Sequence, residues 1–293
     1  MKAKVRKFVS RLSTPVLRRA ASSYVAGPEI DDALRVALRI QRMGFTATIG
    51  FWNGDHDSPR LVADAYLQSL AAMPGRNLDN LCIKLPALQY SYELLEEVLC
   101  VAKRLNVRVH FDSLGLETVD RTLSVLDRAL LTYTNLGITF PASWKRSLKD
   151  IDWAIERKLP IRIVKGQWPD SSSVNSDQDF ASAIRRLAGR VARVNVATHN
   201  AELARQSLEC LHAAGTRGNM DLLYGLPVRR SLVVAKHFAA PVRFYIPFGH
   251  AWLPYCFSQA RKNPRILLWM LKDSLFSNGI ASMGAKEMLS SPK

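Results

Sequence analysis

The chain has 293 residues, of which 48% are apolar, so it can bury a large core, and its length suits either one α/β barrel or two ordinary domains. Its formal charge of +16 favours anionic partners such as phosphate-bearing ligands, nucleic acid or an acidic membrane face. Four widely spaced cysteines indicate neither a disulfide framework nor a structural metal site, and no apolar run reaches the roughly 18 residues that a membrane span needs.

The first 24 residues carry basic side chains and no acid. They lack the long apolar core of a secretory signal. The cysteine pattern makes a reducing compartment the expected one. The cytoplasm is the expected location, free or at a membrane surface. The mitochondrial matrix is the alternative, if this stretch is a transit peptide rather than a basic arm or a first helix. We predict an N-terminal helical arm over residues 1–40.

Eight short apolar runs, most of them rich in β-branched residues, follow the arm, and each ends in a polar or glycine-bearing turn. We predict strands at 45–50, 81–85, 107–112, 136–140, 160–165, 194–198, 220–224 and 242–247. Helical patterns separate them, with apolar residues recurring every three or four positions. Because a parallel strand pair needs a crossover that can hold a helix, this alternation favours a single-domain α/β fold, a (βα)8 barrel of the TIM type.

An open doubly wound sheet is the runner-up for the fold, but its G-x-G-x-x-G fingerprint is absent from the sequence. We therefore predict a barrel over residues 41–264. A C-terminal helix and tail are expected over 265–293.

Polar and aromatic groups follow the predicted strands, whereas the strand interiors are expected to be apolar. In a (βα)8 barrel the carboxyl ends of the strands carry the function, so these groups predict one ligand site. They are Trp52, Asn53, Asp55, Lys84, Asp112, Phe140, Pro141, Arg162, Lys165, Gln167, Trp168, Thr198, His199, Asn200, Tyr224 and Tyr245.

Arg162 and Lys165 point to opposite faces of an extended strand, and only a bend at Gly166 brings both near one ligand. Two cations beside a glycine backbone suit a phosphate or pyrophosphate, although pairing with a neighbouring acid is the simpler interpretation. A lone histidine such as His199 is more often structural than catalytic.

Lys84 and Asp112 follow neighbouring strands, so we expect an ion pair at the mouth of the barrel. Such a pair is either structural or positions the substrate or an aromatic hydrogen-bonding side chain. Tyr245 and Tyr255 are expected to face the same cavity, although buried tyrosines commonly only pack and satisfy one hydrogen bond.

Five segments follow one another along the chain: KL at 84–85, IRIVKGQW at 161–168, VATHNAELA at 196–204, LLYG at 222–225 and RFYIPFGHAWLPY at 243–255. In this order they resemble the proline dehydrogenase family of flavin-dependent barrels. The resemblance covers residues 24–264 and is specific for the superfamily.

The resemblance implies non-covalent FAD at the strand ends and a small amine or imino-acid substrate. Hydride leaves the carbon next to the nitrogen for the flavin, an imine results, and a quinone, commonly at a membrane, accepts the electrons. Cofactor-binding positions are then Arg162, Lys165, Gln167, Thr198, His199 and Asn200. Catalytic positions in the substrate pocket are Lys84, Asp112, Tyr245 and Tyr255.

The departures from the family pattern concern the substrate carboxylate. Ser258 and Gln259 stand where the family carries an arginine pair, and Arg261 and Lys262 share enough of that helical face to replace it in part. Losing both arginines predicts weak turnover of proline and better turnover of amides, esters or decarboxylated amines. The glutamine usual at the end of strand four is Pro141.

Two other functions stay open on the sequence. A barrel of the same family that binds flavin or an anionic ligand without oxidising an amine is the main alternative. Nucleic acid is an unlikely partner, because the basic residues are scattered and lack interleaved aromatics. Docking on an anionic membrane surface accounts better for the positive charge.

Overall fold

A computed structural model of the chain describes residues 26–76, 78–166, 170 and 176–249, and within them eight parallel strands close into a barrel in sequence order. The strands are β1 (Thr46–Phe51), β2 (Leu78–Ile83), β3 (Arg108–Phe111), β4 (Leu136–Pro141), β5 (Ile161–Val164), β6 (Arg193–Ala197), β7 (Arg217–Leu223) and β8 (Val242–Phe248). The predicted (βα)8 fold is confirmed.

Helices connect the strands and surround the barrel. They are α1 (Ile30–Arg42), α2 (Pro59–Ala72), α3 (Tyr92–Leu105), α4 (Val119–Leu130), α5 (Ser147–Glu156), α6 (Ser176–Leu187), α7 (Ala201–Ala213) and α8 (Arg229–His237). Helix α1 precedes the barrel and packs against β1 and β8. Residues 1–25 of the predicted arm, and the whole predicted segment 265–293, lie outside the described residues.

Local sequence fixes several helix starts. Ser58 accepts a hydrogen bond from the Leu61 amide at 3.2 Å and is followed by Pro59, whose fixed φ suits the first helical position. Ser91 caps α3 in the same way through the Leu94 amide. These caps place the loops that leave the carboxyl ends of β1 and β2.

The two faces of each strand differ in polarity. Ile161 and Ile163 are buried on one face of β5, and Arg162 is buried on the other. The register places Arg162 between Thr139 of β4 and Asn195 of β6, so the polar residues of neighbouring strands share a face. The same alternation recurs in other strands, where the buried polar residues are Thr48, Asn80, His110, Thr139, Asn195, Asp221 and Arg243.

The polar face is the inside of the barrel. Arg162 contacts Cys82 of β2 and lies over the ring of Tyr245 of β8, and strands this far apart in the sheet meet only across the lumen. The apolar core is therefore the layer between strands and helices, and the lumen is lined by polar side chains. The expectation of apolar strand interiors is wrong for the lumen side. β2 and β7 begin three residues before the predicted positions, because the polar residues Asn80 and Asn219 lie inside these strands and break the apolar runs.

Candidate active site

Arg162 is the centre of a buried polar cluster in the lumen. Its Nε donates to Thr139 Oγ1 at 2.8 Å, and its Nη2 forms an ion pair with Asp112. Nη1 lies 3.9 Å from Asp221, which also holds Arg243 through bonds of 3.1 and 2.8 Å. Burial opposes the charge on Arg162, but the two carboxylates outweigh it and raise the pKa of this guanidinium. The positive charges of Arg162 and Arg243 are thus balanced by the negative charges of Asp112 and Asp221.

Asp112 connects this cluster to the carboxyl end of the barrel. It follows β3, and its second oxygen accepts a hydrogen bond from the Tyr245 hydroxyl at 3.1 Å. The same hydroxyl accepts from Trp52 Nε1 at 3.1 Å. Burial raises the pKa of Tyr245 well above its usual value, so the ring stays a neutral phenol at physiological pH. Tyr245 is held in one orientation between Trp52 and Asp112.

Lys84 supplies a cation beside this cluster. It follows β2, is half-buried, and its ammonium lies 5.1 Å from the centre of the Trp52 ring. Among the described residues no carboxylate pairs with it, because Asp112 pairs with Arg162; the predicted Lys84–Asp112 ion pair is absent. Burial lowers the pKa of Lys84 to about 8, although the nearby Asp112 charge opposes the change. A ligand carboxylate near Lys84 would meet a poorly hydrated cation.

Gly50 makes room for Tyr245. The two residues lie on the adjacent strands β1 and β8. A Cβ on Gly50 would lie 2.3 Å from the Tyr245 hydroxyl oxygen and 2.8 Å from Cζ, distances that are far below van der Waals contact. The absence of a side chain at position 50 therefore lets the phenol reach both Trp52 and Asp112.

Lys165 does not join this cluster. It follows β5, where Gly166 has a φ of +101°, and its ammonium pairs with Asp177 in the first turn of α6. Arg162, by contrast, points into the lumen. The bend at Gly166 therefore does not bring Arg162 and Lys165 together: Arg162 pairs with Asp112 and Lys165 with Asp177. For Lys165, the simpler interpretation, a strand-end charge paired with a neighbouring acid, is correct in this structure.

The Thr198–Asn200 segment is held by the protein itself. His199 Nε2 accepts from the Leu223 amide at 3.0 Å, and Nδ1 lies 3.2 Å from the Pro227 carbonyl, so the ring is neutral with its proton on Nδ1. Burial lowers the pKa of His199, in agreement with a neutral ring. Asn200 caps α7 through the Glu202 and Leu203 amides, and Thr198 Oγ1 accepts from the Asn200 amide. His199 joins β6 to the end of β7.

Seven predicted site residues lie outside the described residues, so their predicted roles stay predictions. They are Gln167, Trp168, Tyr255, Ser258, Gln259, Arg261 and Lys262. Of the predicted catalytic set, Lys84, Asp112 and Tyr245 are brought together at the carboxyl end of β1–β3 and β8.

Sequence reasoning missed Thr139 and Asp221 and gave Trp52 no role. Thr139 Oγ1 lies 2.8 Å from Arg162 Nε, 2.9 Å from His110 Nε2 and 3.5 Å from Asp112 Oδ1. The signal was available: a single polar residue between two apolar ones in a strand, as in Ile138–Thr139–Phe140, marks the lumen face.

Comparison with known proteins gives one consistent result. A family model described as Proline dehydrogenase matches residues 41–256. Proline dehydrogenase 1 of Bacillus subtilis (strain 168) is 27% identical, over 92% of this chain and 94% of the relative. Proline dehydrogenase of Deinococcus radiodurans is 23% identical over the same shares of the two chains.

Solved structures support the fold. Proline utilization A (PutA) from Bdellovibrio bacteriovorus, inactivated by N-propargylglycine, superposes with a TM-score of 0.74 at 16% identity. The match covers 94% of this chain and 36% of that protein. PutA from Corynebacterium freiburgense gives a TM-score of 0.70 at 15% identity and covers 98% of this chain and 36% of the neighbour.

Proposed function

The chain belongs to the proline dehydrogenase family, and on that premise we propose that it is a flavin-dependent oxidoreductase that oxidises a C–N bond of proline or of a related secondary amine. The observation that carries the proposal is the cluster of Lys84, Asp112 and Tyr245 at the carboxyl end of the barrel, with Arg162 beneath it. The end-to-end match to named proline dehydrogenases favours an enzyme over a barrel that only binds.

The family implies FAD, and the described residues fit such a ligand in two places. Lys165 and Asp177 are both partly exposed, and an exposed ion pair is worth only about 0–1 kcal/mol, so a phosphate can displace the carboxylate. Beside it, the buried Ser143 hydroxyl has no hydrogen-bond partner within the described ranges. It adjoins Gly166, where a Cβ would lie 2.6 Å from that oxygen.

We assign cofactor binding first to Lys165 and the backbone at Gly166. Bound there, FAD would supply the acceptor for the hydride that leaves the carbon next to nitrogen, and the amine would become an imine once its N–H proton is also lost to solvent. Arg162, His199 and Asn200 are already engaged by protein groups, so their part in this proposal is to hold the strand ends in place.

The described residues provide the substrate side of the site. Lys84 offers charge to a carboxylate, because its own charge has no acidic partner among the residues that the structure describes. The Tyr245 ring, fixed by Trp52 and Asp112, forms a wall against which a small ring can pack. A neutral phenol in this position orients the substrate and is not a base at neutral pH.

The direct test is an absorption spectrum of the purified protein followed by anaerobic titration with amines. We expect bound FAD and bleaching of its visible absorbance by proline or by a relative that lacks the free carboxylate, such as pyrrolidine or a proline ester. Stronger bleaching by the amines without a carboxylate would agree with the replaced arginine pair at Ser258 and Gln259. A colourless protein that FAD cannot reconstitute would refute the proposal. A yellow protein that photoreduces but reacts with no amine would support the non-catalytic alternative.

The pKa of Lys84 predicts a pH dependence. The ammonium is fully charged well below pH 8 and loses its charge as the pH rises through about 8, so carboxylate binding weakens above that pH. We expect the KM for proline to rise from pH 7 to pH 9 while the KM for pyrrolidine does not. Steady-state kinetics across this range measure both. In Lys84→Met the rise for proline should disappear; an unchanged pH profile in that variant would assign the effect to another group.

A quinone is the proposed electron acceptor, and an anionic membrane face is the proposed docking surface. The net charge of +16 supports docking on an anionic membrane face. No helix within the described ranges is long and apolar enough to cross a membrane. We expect the protein to co-sediment with acidic liposomes at low salt and to be released at high salt. Equal recovery with neutral liposomes would contradict an electrostatic attachment.

A further inference from the structure

A second cavity lies at the opposite end of the barrel from Lys84 and Tyr245. It has a volume of about 520 Å³ and is formed where β6 and β7 begin and where α7 and α8 end. We call this cavity the basal cleft and define it by Arg193, Leu208, His212, Arg217 and Phe238. None of these residues belongs to the site described above.

Two arginines occupy matching positions at the basal cleft. Arg193 opens β6, Arg217 opens β7, and the register makes them direct partners. Neighbouring parallel strands lie about 4.8 Å apart, and like charges placed directly opposite each other are destabilising. Arg162 and Arg243, farther along the barrel strands, each hold an aspartate. Arg193 and Arg217 hold no carboxylate in the part of the chain that the structure describes.

The rest of the basal cleft indicates what kind of anion fits. Leu208 and the half-buried Phe238 give it an apolar wall, and His212 lies at its edge in the last turn of α7. Cavities of about 300–1,000 Å³ hold small organic ligands, so the basal cleft is larger than a bare inorganic anion needs. A phosphate monoester carries a charge of about −1.5 to −2 at pH 7, which matches two guanidinium groups.

We propose that the basal cleft binds a small organic phosphate monoester. The phosphate lies between Arg193 and Arg217, where it removes their repulsion and accepts charge-assisted hydrogen bonds from both. The organic part packs against Leu208 and Phe238. Catalytic groups of such barrels lie at the carboxyl ends of the strands, so the ligand does not compete with the substrate. The proposal is independent of the oxidoreductase activity.

Isothermal titration calorimetry of the purified protein, loaded with its cofactor, tests the proposal. Phenyl phosphate is the probe, because it combines a phosphate dianion with a small apolar ring. We expect one site per chain, and we expect Arg193→Gln and Arg217→Gln each to weaken binding at least tenfold. Arg185→Gln is the matched control, since Arg185 is an exposed arginine on α6 away from the basal cleft, and it should bind like the unaltered protein.

Three outcomes would overturn the assignment. The first is no binding of phenyl phosphate at low ionic strength. The second is equal affinity of the two basal variants and the control. The third is tight binding of a simpler anion. Inorganic phosphate binding as tightly as phenyl phosphate would show that the organic part is not recognised, and benzoate binding as tightly would show that a phosphate dianion is not required. Circular dichroism and urea-induced unfolding, both expected unchanged in Arg193→Gln and Arg217→Gln, show that those variants fold.

Discussion

Replacing Arg162 by Met is expected to lower the free energy of unfolding by about 3–5 kcal/mol, the cost of breaking a buried ion pair by removing one partner. The substitution leaves the Asp112 carboxylate in the lumen without its cation, and it removes the donor to Thr139. Urea-induced unfolding followed by circular dichroism measures the loss.

The matched control is the same chemical change at an exposed pair. Arg205 on α7 contacts Glu202 and Glu209 at the surface, where solvent screens the charges, and Arg205→Met should leave the free energy of unfolding nearly unchanged. Combining Arg162→Met with Asp112→Asn should cost less than the sum of the single changes, because the second change removes the charge that the first left unpaired. Equal losses for Arg162→Met and Arg205→Met would show that the lumen is hydrated enough to screen the pair.

Replacing Gly50 by Ala is expected to slow flavin reduction by about 100-fold, the size of effect that follows when a group at a reacting centre moves by about 1 Å. The new Cβ would lie 2.3 Å from the Tyr245 hydroxyl oxygen, so the ring must move and its bonds to Trp52 and Asp112 must lengthen. Overpacking of this kind costs about 1–3 kcal/mol of stability. Stopped-flow reduction and urea unfolding measure the two effects.

Two further variants separate crowding from loss of the phenol. Gly54→Ala is the control, because its Cβ would meet Asp57 at 3.6 Å, an ordinary contact. Gly50→Ala combined with Tyr245→Phe removes the nearest atom, the hydroxyl oxygen, but leaves Cζ at 2.8 Å from the new Cβ, so it should recover part of the stability and none of the rate. If Gly50→Ala reduces the flavin as fast as the unaltered protein, the orientation of Tyr245 is not required.

The strands and the fold were predictable because each strand buries an apolar face against helices, as Ile161 and Ile163 do. The polar lining of the lumen was not predicted. A single charged residue such as Arg162 or Asp221 was taken as an interruption of an apolar run, although the two-residue alternation of a strand places it on the face opposite the apolar residues, inside the barrel.

The partners of the site residues depend on geometry that is not local. Asp112 was expected to pair with Lys84 from the neighbouring strand, but Arg162 reaches it from β5 across the barrel, which depends on strand tilt and stagger. The family resemblance implied a cofactor contact for His199. Its two observed partners, the Leu223 amide and the Pro227 carbonyl, lie in a later strand and loop, where nothing in the sequence around His199 indicates them. Family membership was visible from ordered motifs, whereas these contacts needed coordinates.

The polar lumen divides its partners between the two halves of the chain. The first four strands and their loops contribute Asp112 and Thr139, whereas the last four contribute Arg162, Asp221, Arg243 and Tyr245. Asp221 pairs with Arg243 within the second half, but Arg162 pairs with Asp112 across the two halves, so either half alone would leave a buried charge uncompensated. The barrel is therefore not two autonomous half-barrels joined side by side. Each half needs the other, because the charges buried in the lumen balance only when the eight strands close into a circle.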